Sequence, residues 1–351
     1  MRLKKRYILR GALISMCFVI FIVAGHVALQ YHKCLETRNL TSKEAGMEHT
    51  YNIYPGASID SVLKLLEKDY TIESRLYFKL HSKLMKFNYP EPGHYTFGPE
   101  ISDRELIERL KYGKQTPVYI TWNNTVRTRE QLAGIVSQNL QMDSVTLLSY
   151  LENDTFLEGY DLNKENSRCL FIPNTYEVYW NITPEKLFQR MRREFNTFWN
   201  AERKQKAKDL GLTPVEVGIL ASIIEGESHN AKELPIIASL YLNRIHKNML
   251  LQACPTVIYA AGDFSIRRVL NKHLQIDSPY NTYKYRGLPP GPIRCPDPKS
   301  IDYVLNAPKT NYLYMCADSS LNGTHRFSSN YSSHQQAAND YHEMMNNRNT
   351  N

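Results

Sequence analysis

The segment after Thr213 carries the residues best suited to chemistry. It runs Val215-Glu216-Val217-Gly218-Ile219-Leu220-Ala221-Ser222-Ile223-Ile224-Glu225-Gly226-Glu227. Thr213-Pro214 before it supplies an N-cap and a proline at the first helical position. At about 100° per residue, Val217, Leu220, Ala221 and Ile224 share one apolar face. Glu225 falls at the edge of that stripe, beside Gly218, Ala221 and Ser222, whose small side chains leave room for a bulky group. A carboxyl at the end of an apolar stripe is partly desolvated, which favours its neutral form and suits a general acid. Glu227 lies about 200° further round the helix and faces elsewhere. From this segment alone, an ordinary solvent-facing place for both glutamates is the more economical reading.

The elements that must position this helix are legible in outline. Hydrophobic residues make up 42% and charged residues 22% of the 351, which fits a folded protein rather than a disordered chain, and the strands and helices read along the chain make its class α+β. Arg2, Lys4, Lys5, Arg6 and Arg10 supply five of the eight net positive charges. The basic balance is therefore largely a terminal feature. It gives no support for nucleic-acid binding, and no helix-turn-helix or finger spacing appears. Gly11 to Leu29 is an apolar run of 19 residues, nearly long enough to span a bilayer core as a helix. Its basic flank predicts a cytoplasmic N-terminus. A cleavable signal is the weaker reading, because Ala24-Gly25-His26-Val27-Ala28 lacks a clean A-x-A. The expected order is a cytoplasmic tail over 1–7, a transmembrane anchor over 8–29 and a polar stalk over 30–48.

A strand, a turn, a Ser or Thr cap and an amphipathic helix then recur three times. Tyr51 to Tyr54 leads to Ser58 and Val62–Leu66, Tyr95 to Phe97 leads to Ser102 and Leu106–Leu110, and Val118 to Ile120 leads to Thr128 and Leu132–Leu140. A helix over Ile72–Phe87 separates the first two. Such units resemble LysM-like wall-binding modules, although on pattern alone a plain α/β scaffold is the more economical reading. These fill an expected N-terminal α/β region over 49–164. A second region over 165–345 holds helices near 184–209, 214–228 and 233–247, then a Pro/Gly-rich stretch, a strand at Tyr312–Met315 and a last helix over 332–345. Six cysteines are present without a CxxC pair, and no HExxH cluster occurs, so neither a metal nor another cofactor is expected.

The wider constellation changes the reading of Glu225. Ala221–Glu227 is followed by Leu242-Asn243-Arg244, Leu251-Gln252-Ala253-Cys254-Pro255-Thr256-Val257-Ile258-Tyr259, Ser278-Pro279-Tyr280-Asn281-Thr282-Tyr283 and Gly287-Leu288-Pro289-Pro290-Gly291-Pro292-Ile293, then Tyr312-Leu313-Tyr314, His325-Arg326-Phe327 and His334. In this order, over roughly residues 50 to 343, the chain closely resembles the MltG (YceG-like) family of endolytic murein transglycosylases. The resemblance implies a mixed α/β catalytic domain preceded by a LysM-like subdomain. It implies cleavage of the MurNAc–GlcNAc β-1,4 bond in nascent peptidoglycan strands at the membrane, leaving 1,6-anhydroMurNAc ends, with one glutamate at the position of Glu225. One departure is Cys254, where the family usually has an acidic residue before Pro-Thr.

A single carboxyl suits that chemistry. Ordinary glycosidases use two carboxyls, whereas a lytic transglycosylase uses the C6 hydroxyl of the substrate's own muramic acid as nucleophile, and proximity does much of the work. Tyr280, Asn281, Tyr283 and Tyr285 pair flat faces with hydrogen-bonding tips that suit sugar rings, though structural packing is an equal alternative. Asn243, Arg244 and Gln252 are candidate donors to N-acetyl or peptide carbonyls. His325 and His334 read as structural. Cys254 and Cys295, each before a proline in blocks the resemblance places around one cleft, are a candidate disulfide, with two free thiols as the ordinary alternative. The expected partners are peptidoglycan strands and, through the resemblance, peptidoglycan synthases of the penicillin-binding class, at the cytoplasmic (inner) membrane. A wall-binding scaffold without activity is the competing function class, and hydrolysis by a muramidase is a third.

Overall fold

The computed structural model describes residues 2–320 and 323–349. The chain divides into two compact units, Met1–Val118 with Glu177–Asn181, and Tyr119–Tyr176 with Ile182–Asn351.

The first unit begins with α1 (Arg2–His32). Its apolar side chains, among them Leu13, Ile14, Phe18 and Phe21, are exposed rather than packed on protein, and the helix is long and apolar enough to cross a membrane. A π-helical turn (Lys33–Thr37) and β1 (Leu40–Ser42) follow. Residues 30–48, polar by composition, are thus not a bare stalk. Cys34, Asn39 and Leu40 are buried, because the Asn39 side chain donates to Asp103 Oδ1 at 2.7 Å and accepts the Ser74 N–H at 2.7 Å. Next come β2 (His49–Ile53), α2 (Ile59–Leu66), β3 (Tyr70–Ile72), α3 (Arg75–Leu84), β4 (Gly93–Phe97), β5 (Glu100–Ile101) and α4 (Asp103–Lys111).

β2 pairs antiparallel with β4, Tyr51 opposite Tyr95, while β1 lies between β3 and β5. Alternation along β4 sends Gly93, Tyr95 and Phe97 inward, where they meet Leu63, Leu66, Phe78 and Leu106 in one core. Ser58, Ser74 and Ser102 each cap their helix by accepting the N–H three residues on. The helix expected over 72–87 is shorter because Tyr70–Ile72 pairs with β1 and Ser74 starts the helix.

Where the chain passes between the first and second units, β6 (Val118–Thr121) and β7 (Thr175–Val178) form a two-stranded sheet. α5 (Arg129–Ser137), α6 (Ser144–Leu151), α7 (Asp154–Glu158) and a 3-10 turn (Ser167–Leu170) fill the interval between them. α5 was grouped by sequence with the first two strand–helix units. It packs instead on α6, and Trp122 before it stacks on Tyr176 at 4.9 Å, so it belongs to this second unit. α8 (Pro184–Phe198) and α9 (Ala201–Asp209) replace a single expected helix, since Trp199 is buried and Asn200 caps α9.

α10 (Pro214–Glu227) carries the capping box of Thr213 and Glu216. α11 (Leu234–His246), α12 (Cys254–Ala261), α13 (Asn271–Leu274), α14 (Pro298–Leu305), the hairpin of β8 (Tyr314–Ala317) and β9 (His325–Ser328), and α15 (Tyr331–Asn349) complete the chain. β8 starts two residues later than expected, because the Asn243 amide holds the carbonyls of Thr310 and Tyr312 at 2.8 and 3.0 Å. α10 is buried on all sides from Val217 to Glu225, with α9, α11, α12 and α14 packed around it. A helix apolar all round belongs in such a place.

Candidate active site

Glu225 sits near the C-terminal end of α10 with 7% of its surface exposed. Its Oε2 accepts the side-chain amide of Asn124 at 3.1 Å and its Oε1 accepts the backbone N–H of Asp297 at 2.7 Å. The Ser300 hydroxyl also bonds to it. Burial raises its pKa to about 7, against the lowering effect of the Asp297 N–H, the Arg294 charge and the Ser300 hydroxyl. A carboxyl so balanced is present as acid and as base near neutral pH, which general acid–base catalysis requires.

Local chemistry places each donor. Trp122 is buried and donates from Nε1 to Phe171 O at 3.1 Å, and Val126 is buried with its carbonyl accepting the Cys295 N–H at 2.8 Å. Asn123 closes a turn by accepting the Thr125 N–H at 2.9 Å. Asn124 is thereby held between two anchored residues. Asp297 caps α14, accepting the Lys299 N–H at 2.8 Å, so the N-terminal end of that helix faces Glu225. Asp297 is the other carboxylate beside Glu225, and it is engaged in capping.

The blocks that build this site fall inside one family match. The model of the YceG-like family fits residues 51–340. The chain belongs to the YceG-like family. It is 28% identical over 305 residues to the endolytic murein transglycosylase of Bacillus subtilis, covering 83% of this chain and 84% of that protein. It is 25% identical over 304 residues to the endolytic murein transglycosylase of Streptococcus pneumoniae, covering 77% of this chain and 54% of that longer relative. The crystal structure of a YceG-like protein from Listeria monocytogenes shares the fold, with a TM-score of 0.52, 24% identity and coverage of 82% of this chain and 98% of that one.

The other candidate residues of this YceG-like chain are not gathered around Glu225. Glu227 accepts the Tyr241 hydroxyl at 2.7 Å, and burial raises its pKa to about 7. Arg244 is buried and donates to the carbonyls of Leu313, Leu250 and Leu251 and to Gln252 Oε1. Gln252 is exposed with a left-handed backbone at φ 52°. Asn281 is buried, donating to the carbonyls of Leu274 and Ile276. Tyr280 donates to Glu165 Oε2 at 3.0 Å and packs on Tyr259. Tyr283 reaches Cys254 Sγ at 3.3 Å, and exposed Tyr285 donates to Asp277. With Asn243, most of these side chains hold loops together. His325 is engaged by Glu233, and His334 stacks on Tyr314. Among the described residues no group of three His, Cys, Asp or Glu side chains is placed to hold a metal.

The small residues of α10 are filled by protein, not left open. A methyl on Gly218 would touch Cys169 and Pro296, and Ser222 Oγ accepts the Ile293 N–H at 3.0 Å. The candidate Cys254–Cys295 bridge is absent, and the alternative holds: both are thiols. Cys254 is exposed against Tyr283, whereas Cys295 is buried near Arg168 and Cys169, where burial raises its pKa to about 12. A cavity of about 870 Å³ lies at the opposite end of α10, lined by Thr213, Glu216, Arg192 and Gly287–Pro290. The Pro-rich turn thus borders that cavity.

Gly226 separates the two glutamates and permits the close approach of α12. A Cβ there would lie 2.6 Å from Pro255 Cβ. Gly226→Ala is expected to destabilise the fold by about 1–3 kcal/mol through overpacking and to lower cleavage with it. An unchanged urea midpoint would show that α12 has slack at this point.

Proposed function

We propose that this chain is an endolytic lytic transglycosylase of peptidoglycan. The observation that carries the reading is Glu225, a buried carboxyl balanced near neutrality and held by Asn124, Ser300 and the Asp297 N–H. Its neighbouring carboxylate Asp297 is engaged as a helix cap. The names of the Bacillus and Streptococcus relatives supply the substrate. Glu225 first protonates the oxygen between MurNAc and GlcNAc. It then accepts the proton of the muramic acid C6 hydroxyl as that oxygen attacks C1, and the strand ends in 1,6-anhydroMurNAc. Asn124, Asp297 N–H and Ser300 hold the carboxyl in place through both steps.

The exposed apolar face of α1 supports a single membrane anchor, and its basic flank supports an N-terminus in the cytoplasm with both compact units outside. That placement puts Glu225 on the side where strands are polymerised, with peptidoglycan synthases as neighbours and nascent strands as substrate. The segment β2, α2, β3, α3, β4, with β2 and β4 paired, is the arrangement we assign to the LysM-like wall-binding module. An internal cutter shortens long, uncut strands into mid-length fragments at first contact. Size analysis of early products from uncross-linked strands tests this, and early release of disaccharides alone would refute it.

A further inference from the structure

Arg294 lies in the field of Glu225, and Arg127 is its cationic neighbour. Arg294 lies between Ile293 and Cys295, both buried, yet is itself partly exposed. Its Nε is buried with no hydrogen-bond partner. A buried guanidinium donor without an acceptor is costly, and native chains satisfy such groups. The Cys295 N–H to Val126 O bond of 2.8 Å brings the neighbouring residue, Arg127, to the same edge. The Arg127 guanidinium lies over the Phe264 ring at 4.8 Å. Neither arginine forms an ion pair among the described residues, whereas Arg203 and Arg244 are held by acceptors, and Arg168, whose Nε is also unpartnered, is held through its other two nitrogens. The Arg127 charge acts on Arg294, and Glu225 is the acid that feels Arg294.

Resting on the transglycosylase reading, we propose that Arg294 and Arg127 form a carboxylate-binding subsite beside Glu225, which takes the acidic stem peptide hanging from the muramic acid whose bond is broken. The chemistry favours an anion over a sugar hydroxyl. A carboxylate fills the planar fork of Arg294 and separates the two positive charges, whereas a hydroxyl does neither. The stem peptide is the anionic part of a nascent strand, since the lactyl carboxyl of muramic acid is consumed in the amide that carries the peptide. The subsite gives the enzyme a preference for strands that still bear free peptide carboxylates. It also holds the muramic ring by its O3 substituent, leaving C1 and the C6 hydroxyl to Glu225.

The test uses the full chain in detergent and uncross-linked strands in two forms, one with free peptide carboxylates and one with those carboxylates converted to amides. Assays near pH 6 keep Glu225 protonated, as a general acid with a pKa of about 7 requires. On carboxylate strands, Arg294→Gln is expected to raise KM about 10- to 100-fold with a smaller change in kcat, and Arg294→Lys to recover part of it. Amidated strands should show a raised KM with the unaltered enzyme, and Arg294→Gln should add little more. Strands stripped of peptide, which expose the lactyl carboxylate, separate recognition of the peptide from recognition of any nearby anion. Equal KM values of the unaltered enzyme for free and amidated strands overturn the proposal, even if Arg294→Gln fails to fold. If anhydro ends still form in that case, the subsite alone is lost and the reaction stands.

Discussion

Glu225→Gln lowers strand cleavage by about 100- to 10,000-fold, the usual cost of removing a general acid. The loss is larger if the same group also serves as the base. The substitution keeps the size of the side chain and one acceptor for Asn124 or the Asp297 N–H. Glu227→Gln costs far less, because Glu227 bonds to Tyr241 on another side of α10. The two variants also separate by pH. Glu225 must be protonated to donate, so the rate falls as pH rises through about 7, where burial has placed its pKa. Glu227→Gln leaves that limb in place, although its own pKa is also about 7. Stability follows the same shifts. Between the ordinary 4.5 and about 7 the folded chain keeps protons on both glutamates that the unfolded chain releases, so their contribution declines as pH rises through that window. A basic limb abolished by Glu227→Gln and untouched by Glu225→Gln would reverse the assignment.

Arg168→Met is expected to cost about 1–3 kcal/mol of stability for each buried acceptor it leaves unsatisfied. The guanidinium is fully buried and donates to the carbonyls of Arg127 and Pro292 and to the Tyr259 hydroxyl, the last at 2.8 Å. It also lies over the Tyr259 ring at 5.4 Å. Removing it orphans two carbonyls and loosens the segments that bring Asn124 and Asp297 to Glu225. Cleavage falls with the urea midpoint. Arg168→Lys recovers only part, because one ammonium does not reproduce the fork that spans three acceptors. A midpoint within about 0.5 kcal/mol of the unaltered protein, the range of an ordinary surface change, would show that the network is dispensable.

Periodicity and capping chemistry are local, and they were legible. Ser58, Ser102, Thr128 and Thr213 each start a helix where the sequence places one. Glu225 could be singled out because its helix is short of polar residues and belongs to a recognisable series of blocks. Its donors could not. Asn124 lies 101 residues away in a turn, and Ser300 and the Asp297 N–H belong to a later helix start. Small polar residues in turns carry no spacing signal. The surroundings of Asn243, Arg244 and Asn281 were equally hidden. Their side chains suit substrate carbonyls, but the carbonyls they meet are backbone ones, which have no signature in sequence. Cys254 and Cys295 show the same limit, since adjacency to proline says nothing of the direction in which a thiol points.

The most direct test is the mass of the new ends on strands cut by the full chain. Intramolecular attack by the C6 hydroxyl leaves 1,6-anhydroMurNAc, whereas attack by water leaves a reducing MurNAc end heavier by about 18 Da. The account predicts anhydro ends from the unaltered enzyme and near-complete loss of them with Glu225→Gln. Reducing ends would contradict it, even with Glu225 essential.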